Sequence, residues 1–414
     1  MKNINEVVEG LARPLNICDT TLLDSEKAPG VVLSNIEKYR MAQLLDEAGI
    51  PQIEVGSPLM GIESKKAIRH IARMGLGTTV SSWNRAVVSD IDASLDCDVD
   101  AVTISIPVSD IQIEKKYRND RDLILDMVYE AVAHAASHGL YVSCCAEDAS
   151  RADLSYLIDF AKVSKECGAQ RVEYCDTIGI EDPFTAFDRL KTLKQIVNVD
   201  YAYSARNDMG MATANSIAAI KAGCRFVSAS SMGISDGAGK AAIEEVAIAA
   251  KHTLNIDSGL DSAKFREIAE AISFATGNVI PSSKPVIGED IFSFESVFII
   301  DGVLKNGNIG EAFDASEVGA QRKALVGKNS TSNTIIWEMS QMGINLEREQ
   351  AEVLLDMVRK ASIQTRRCMS QKELYLLYED MMSGNDIFDE NELPPTPRDP
   401  VEPVAEEQVP EQSE

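Results

Sequence analysis

The sequence has no apolar run near the roughly 18 residues that a membrane-spanning helix requires, so no transmembrane segment is expected. Its first residues, MKNINEVVEGLARPLNIC, lack the apolar core of about 7–15 residues that marks a secretory signal, and a cytoplasmic protein is expected. Basic residues are in deficit, 40 Lys and Arg against 65 Asp and Glu, for a formal net charge of −25. That balance argues against nucleic acid and anionic membrane surfaces as partners, because both attract basic proteins. The eight cysteines form no CxxC pair, and the adjacent Cys144 and Cys145 do not suit a disulfide with each other. Reduced thiols packed as small apolar groups are the expectation. No GxGxxG follows the first strand-like segment, so a doubly wound dinucleotide-binding sheet lacks its phosphate loop. Histidine is scarce. The four present, His70, His134, His138 and His252, all lie in segments of helical periodicity.

What the chain does contain is a regular alternation. Short β-branched, apolar runs recur: LNICDTT (15–21), PQIEVGS (51–57), GTTVSSW (77–83), DAVTISIPV (100–108), LYVSCCAED (140–148), RVEYCDT (171–177), VDYAYSARN (199–207) and RFVSASSMGI (225–234). Helical segments separate them. NIEKYRMAQLLDEAGI places Ile36, Tyr39, Leu44, Leu45 and Ala48 on one stripe, and Gly49, Gly139, Gly168 and Gly223 read as helix ends. Eight strands alternating with helices predict an α/β fold of (β/α)8 TIM-barrel type over residues 1–275. Residues 276–312 read as a linker or lid, 313–383 as a helical C-terminal domain, and 384–414 as an acidic, proline-rich tail expected to be disordered. From Asp386 onward, ten acids stand against the single base Arg398.

In such a barrel the working residues sit at the C-terminal ends of the strands. These positions collect Asp19, Glu54, Glu147, Asp176, Thr177, Ser204, Arg206 and the segment Ser231–Lys240. Carboxylates and hydroxyls with the cations Arg206 and Lys240 suit a small anionic guest. They equally suit mutual pairing at the rim, and spacing alone leaves both open.

Several motifs, in order along the chain, resemble the homocitrate synthase and isopropylmalate synthase family of TIM-barrel metallolyases. DTTLLDSEKAPGV (19–31) is similar to the family opening DTTLRDGEQ. EVGSP (54–58), EDASRADL (147–154), DTIGI (176–180), NDMGMATANS (207–216), GAGKAAIEE (237–245) and DGVLK (301–305) follow. The likeness spans roughly residues 15–383, and EDASRADL with the helical C-terminal region resembles the nitrogenase-associated homocitrate synthases. The resemblance implies a TIM barrel, an intertwined homodimer, and condensation of acetyl-CoA with a 2-oxo acid. A divalent metal such as Mg, Mn or Zn chelates the oxo acid, acting as Lewis acid and template. An arginine of the opening motif stabilises the oxyanion, and a lid histidine assists proton transfer.

Position by position, the chain departs from what the resemblance implies. Asp19 is kept as a metal-ligand position, but the motif arginine is Leu23. The family HxH pair falls on Ser204 and Arg206, and the ligand asparagine falls on Lys240. The lid motif HEAGIH falls on FESVFI, with Phe294 and Ile299 for histidines, and Asn329 replaces the histidine of GKHSG. Lys and Arg do not ligate divalent metals, and like charges about 4 Å apart repel by roughly 4 kcal/mol at an effective dielectric near 20. No metal cofactor is therefore expected. Arg206 and Lys240 are expected to converge on Asp19, either as an ion pair filling a dead site or as a metal-free site for a dicarboxylate or 2-oxo acid. Asp19, Glu54, Glu147, Thr177, Arg206 and Lys240 are the candidate substrate-binding residues. Lys240 is the candidate catalytic group, as a base or Schiff-base amine if burial lowers its pKa. Three functions compete: a non-catalytic or regulatory homologue, a homodimer or a heterodimer with an active relative; a metal-independent acyltransferase or lyase, with or without acetyl-CoA; and an orthodox homocitrate synthase.

Overall fold

The computed structural model describes residues 1–295 and 310–384. All eight expected strands are present: β1 (Asn16–Asp19), β2 (Gln52–Glu54), β3 (Thr79–Arg85), β4 (Ala101–Pro107), β5 (Tyr141–Glu147), β6 (Arg171–Asp176), β7 (Asp200–Ala205) and β8 (Phe226–Ala229). They pair in sequence order, and β8 returns to β1 to close a parallel barrel. Closure runs through the register Asn16–Phe226 to Asp19–Ala229. Strands such as AVTISIP are buried along their whole length, as parallel strands covered on both faces must be.

Local chemistry sets the helices between the strands. Ser34 and Glu37 form a capping box at the start of helix Asn35–Glu47. Asp182 caps helix Pro183–Ile196, whose Pro183 occupies the first turn. Gly49, Gly139, Gly168 and Gly223 adopt positive φ where helices end, as expected. One expectation needs correction: Ile36 is 78% exposed, and the buried stripe of its helix runs through Lys38, Met41, Ala42, Leu44 and Leu45. Leu44, Leu45 and Ala48 of the expected stripe are buried, whereas Ile36 in the first turn points to solvent. At the N-terminal mouth, Val7 and Leu11 cluster with Ala101, Tyr141, Ala202 and Phe226.

The chain divides into two units, Met1–Ile291 with Ser316–Ala320, and Phe292–Ala315 with Gln321 onward. The barrel unit thus extends past residue 275. In the second unit, β9 (Ser293–Phe294) pairs in parallel with β10 (Lys323–Ala324). Three helices, Ser332–Gln341, Arg348–Thr365 and Gln371–Ser383, enclose Ile335, Met339, Leu354, Val358 and Leu374. Ile299, the motif DGVLK (301–305) and residues 385–414 of the tail lie outside the described residues. Among the described residues no helix is long and apolar enough to cross a membrane.

Leu354 is fully buried in the second unit's core. Leu354→Ala removes its packing and leaves a cavity, so it is expected to cost about 2–5 kcal/mol in denaturant unfolding. A cost below the range of an exposed substitution would show that this core does not hold the unit together.

Candidate functional site

A cavity of about 490 Å³ opens at the C-terminal end of the barrel. Glu54, Glu147, Thr177, Ser204, Arg206 and Lys240, all singled out from the sequence, line it. Asp19 does not line it. Its carboxylate is fully buried at the end of β1, where it accepts hydrogen bonds from the Thr21 amide (3.0 Å) and the Thr21 hydroxyl. Burial pushes the Asp19 carboxyl up to about 7, against the opposing Thr21 hydrogen bonds.

The loop after β8 sets the positions of both cations. It folds back on the end of β7, so that Arg206 and Lys240 become antiparallel backbone neighbours. Asn207 N–H donates to the Gly239 carbonyl (2.9 Å), and Lys240 N–H to the Gly233 carbonyl (2.9 Å). Gly239 has a φ of +81°, and a Cβ there would stand 2.1 Å from the Gly233 carbonyl oxygen. Only glycine fits at this point of the loop.

The two cations do not converge on Asp19. Lys240 Nζ lies 3.1 Å from Asp24 Oδ2 and donates to Thr20 Oγ1 at 2.9 Å. Lys27 Nζ holds the other oxygen of Asp24 at 2.8 Å. Burial alone would raise the Asp24 carboxyl, but Lys240 and Lys27 override it and hold it at about 2. Arg206 turns to the rim. Its Nε and Nη2 donate to Asp208 (2.9 and 3.1 Å), and its Nη1 donates to Asp236 (2.5 Å). The physical reason lies in proximity. Asp208 is two residues from Arg206, Asp236 is in the same returning loop, and Asp24 faces Lys240 across the β1–β8 seam. The segments ARND and SDGAGK carry two of these acids in plain view.

The expectation that Lys240 is a low-pKa amine is also corrected. Burial lowers its pKa, but Asp24, then Glu173 and Glu54, raise it further than burial lowers it. It stands as an ammonium ion, poor as a nucleophile. Glu54 is pushed up to about 7, by burial first and then by Glu173. Glu147 pairs with Lys116 at 3.3 Å. The Thr177 hydroxyl oxygen is buried with no hydrogen-bond partner, the only one of the singled-out residues at the cavity with such an orphan among the described residues. Leu23 lines the cavity where the resemblance implies an arginine.

Sequence reasoning missed Asp24, Lys27, Cys145, Glu173 and Cys175, all of which line the cavity. The period-2 alternation of RVEYCD puts Arg171, Glu173 and Cys175 on one face and was the available signal. Cys145, Glu173 and Cys175 form the one cluster of three ligating side chains among the described residues. Its two sulfurs are 2.9 Å apart, whereas two thiolates on a tetrahedral zinc with Zn–S of about 2.3 Å stand about 3.8 Å apart. None of the four histidines lines the cavity. His134 instead bonds Asp92 at 2.7 Å, and His252 bonds Glu317.

A closed eight-stranded parallel barrel with a cavity ringed by carboxylates at the C-terminal ends of its strands defines the class: a TIM-barrel protein. The HMGL-like family model matches residues 14–272. The chain is 46% identical over 370 residues to 2-isopropylmalate synthase 2 of Caldanaerobacter subterraneus subsp. tengcongensis, covering 89% of this chain and 96% of that one. It is 40% identical over 364 residues to homocitrate synthase 1 of Nostoc sp., covering 88% and 97%. In three dimensions it superposes on the HMG-CoA lyase of Bacillus subtilis with a TM-score of 0.58 at 18% identity, over 65% of this chain and 96% of that one, a likeness of fold alone. The chain belongs to the HMGL-like family, among the homocitrate and isopropylmalate synthases.

Two outcomes are expected. Lys240→Met strips Asp24 of one of its two cations. Loss of one partner of a buried pair costs about 3–5 kcal/mol, and the retained Lys27 should hold this loss to about 3 kcal/mol. Adding Asp24→Asn should recover part of it, so unfolding free energies over the double-mutant cycle should be non-additive. Additive losses would show that the two side chains do not interact. The second outcome concerns pH. Asp19 and Glu54 titrate near 7 in the fold against 3.8 and 4.5 as ordinary carboxyls. The folded state therefore holds protons that the unfolded chain releases, and stability falls as pH rises through that interval. The denaturation midpoint should drop between about pH 4 and pH 7, and Asp19→Asn should flatten the drop. An unchanged slope in Asp19→Asn would place that titration elsewhere.

Proposed function

We propose that this protein is a non-condensing, regulatory member of its family that binds a small dicarboxylate or 2-oxo acid without a metal. The observation that carries this reading is the Lys240 ammonium seated between Asp24 and Thr20, at the position where the family resemblance implies a neutral metal ligand. A lysine and an arginine offer no lone pair to a divalent ion at neutral pH. Ser204 offers one hydroxyl, and Asp19 accepts from Thr21 on both oxygens and does not line the cavity. This donor set does not fit Mg, Mn or Zn, and no step through a metal is derived. Leu23 leaves the oxyanion of a condensation without the motif arginine.

Binding remains within reach. The cavity is open, and the unpaired Thr177 hydroxyl can donate to a carboxylate. Such a protein would act through association, with a second copy of itself or with an active relative.

One observation favours a second reading. Lys27, Arg206 and Lys240 all line the cavity. Three fixed positive charges thus stand where the resemblance implies a divalent metal and an arginine. On this reading the cations polarise the oxo acid electrostatically and an acyl transfer proceeds without metal.

Free CoA release from acetyl-CoA with 2-oxoglutarate, measured with Mg²⁺ or Mn²⁺ and again with EDTA, separates the readings. No release in either condition is expected, together with a thermal shift on adding the dicarboxylate. Release indifferent to EDTA and lost in Lys240→Ala would establish the second reading instead. Release that requires metal would overturn both and restore the orthodox synthase.

A further inference from the structure

The barrel interior holds a feature that neither ligand binding nor the ion pairs use. Alternation along β5 sends Cys144 outward and Cys145 inward. Cys144 is bonded to Ser164 of the helix layer, whereas Cys145 lines the cavity. On β6, Glu173 lies directly across from Cys145, and Cys175 is the next inward residue. The Cys145 and Cys175 sulfurs stand 2.9 Å apart, with a Glu173 carboxylate oxygen within 4.8 Å of both. A disulfide needs about 2.05 Å, so less than 1 Å of approach separates the pair from a bond. Six other cysteines are present, all free, and none of them lines the cavity.

We propose that Cys145 and Cys175 are a redox-active pair, a modification site inside the cavity that two-electron oxidants such as hydrogen peroxide close to an intramolecular disulfide. The step balances. Peroxide converts one thiol to a sulfenic acid with release of one water. The second thiol then attacks that sulfur and expels a second water, so two thiols and one peroxide give one disulfide and two waters. The hydrogen bond to Cys145 and burial hold the Cys175 thiol well above its ordinary pKa. The attacking thiolate must therefore be made in place, and Glu173 is the base within reach of either sulfur. The cavity supplies the path for peroxide, which the outward-facing Cys144 lacks. The sulfur spacing and the nearby Lys240 ammonium favour a bond between the sulfurs over a shared metal ion. This proposal does not depend on the ligand assigned above.

The test uses the full-length protein, reduced, desalted, treated with hydrogen peroxide, and alkylated under denaturing conditions. The expected result is six alkylated thiols in place of eight, an intact mass lower by two hydrogens before alkylation, and a peptide link between β5 and β6. The link should vanish in Cys145→Ser and in Cys175→Ser and persist in Cys144→Ser, which assigns it within the adjacent cysteines. Eight alkylated thiols after peroxide would overturn the proposal. So would sulfinic acid at either position without a link, or a link that survives Cys175→Ser. Stoichiometric zinc in the purified protein, lost in Cys145→Ser, would also overturn it, because the pair would then be a metal centre.

Discussion

The seam between β1 and β8 is the contact on which the rest of the site depends. Residues more than two hundred positions apart meet there in parallel register, Asn16 with Phe226 through Asp19 with Ala229. The seam is extended beyond the strands by Thr20 N–H to the Ala229 carbonyl (2.9 Å) and Ser231 N–H to the Thr21 hydroxyl (2.8 Å). Closing a barrel removes both sheet edges and satisfies every ladder group. Here it also brings the turn carrying Asp24 and Lys27 against the loop carrying Lys240. The buried salt bridge is thus a consequence of barrel closure, since neither partner is near the other in sequence.

That bridge has an electrostatic logic. A buried carboxylate with no cation in contact is pushed well above its ordinary pKa, as Asp19 and Glu54 are. Asp24 instead stays ionised because two ammonium groups face it, and Lys240 stays charged because Asp24, Glu173 and Glu54 surround it. The cavity lining therefore sets one firmly charged triad, Asp24 with Lys27 and Lys240, beside the raised carboxyl of Glu54. Arg206, one backbone bridge away from Lys240, belongs to a separate, more exposed pair at the rim. Two cations that are adjacent in the backbone thus serve different carboxylates, which lowers their mutual repulsion.

The relatives give this arrangement its context. The chain aligns with a homocitrate synthase and an isopropylmalate synthase over most of its length, and the family model covers residues 14–272, where the barrel lies. Within the barrel, Leu23, Ser204, Arg206 and Lys240 all line the mouth, and the backbone that carries Arg206 and Lys240 is held by its own hydrogen bonds. Fold and chemistry can separate this way because strand ladders set the backbone, whereas side chains at strand ends face solvent or ligand and contribute little to the ladder.

The sequence by itself determined the barrel, its eight strands and the set of residues at their C-terminal ends. Each strand is a largely buried parallel run of three to seven residues, and local periodicity encodes that directly. The sequence motifs also carry the family resemblance, because motif order is a property of the linear chain. Only the tertiary structure decided who pairs with whom. Lys240 chose Asp24 over Asp19, Arg206 turned to Asp208 and Asp236, and Cys145 met Cys175. Each of those choices depends on distances of an ångström or two across the seam or between neighbouring strands. Such distances are set jointly by barrel closure, strand stagger and loop return, and no local pattern carries them.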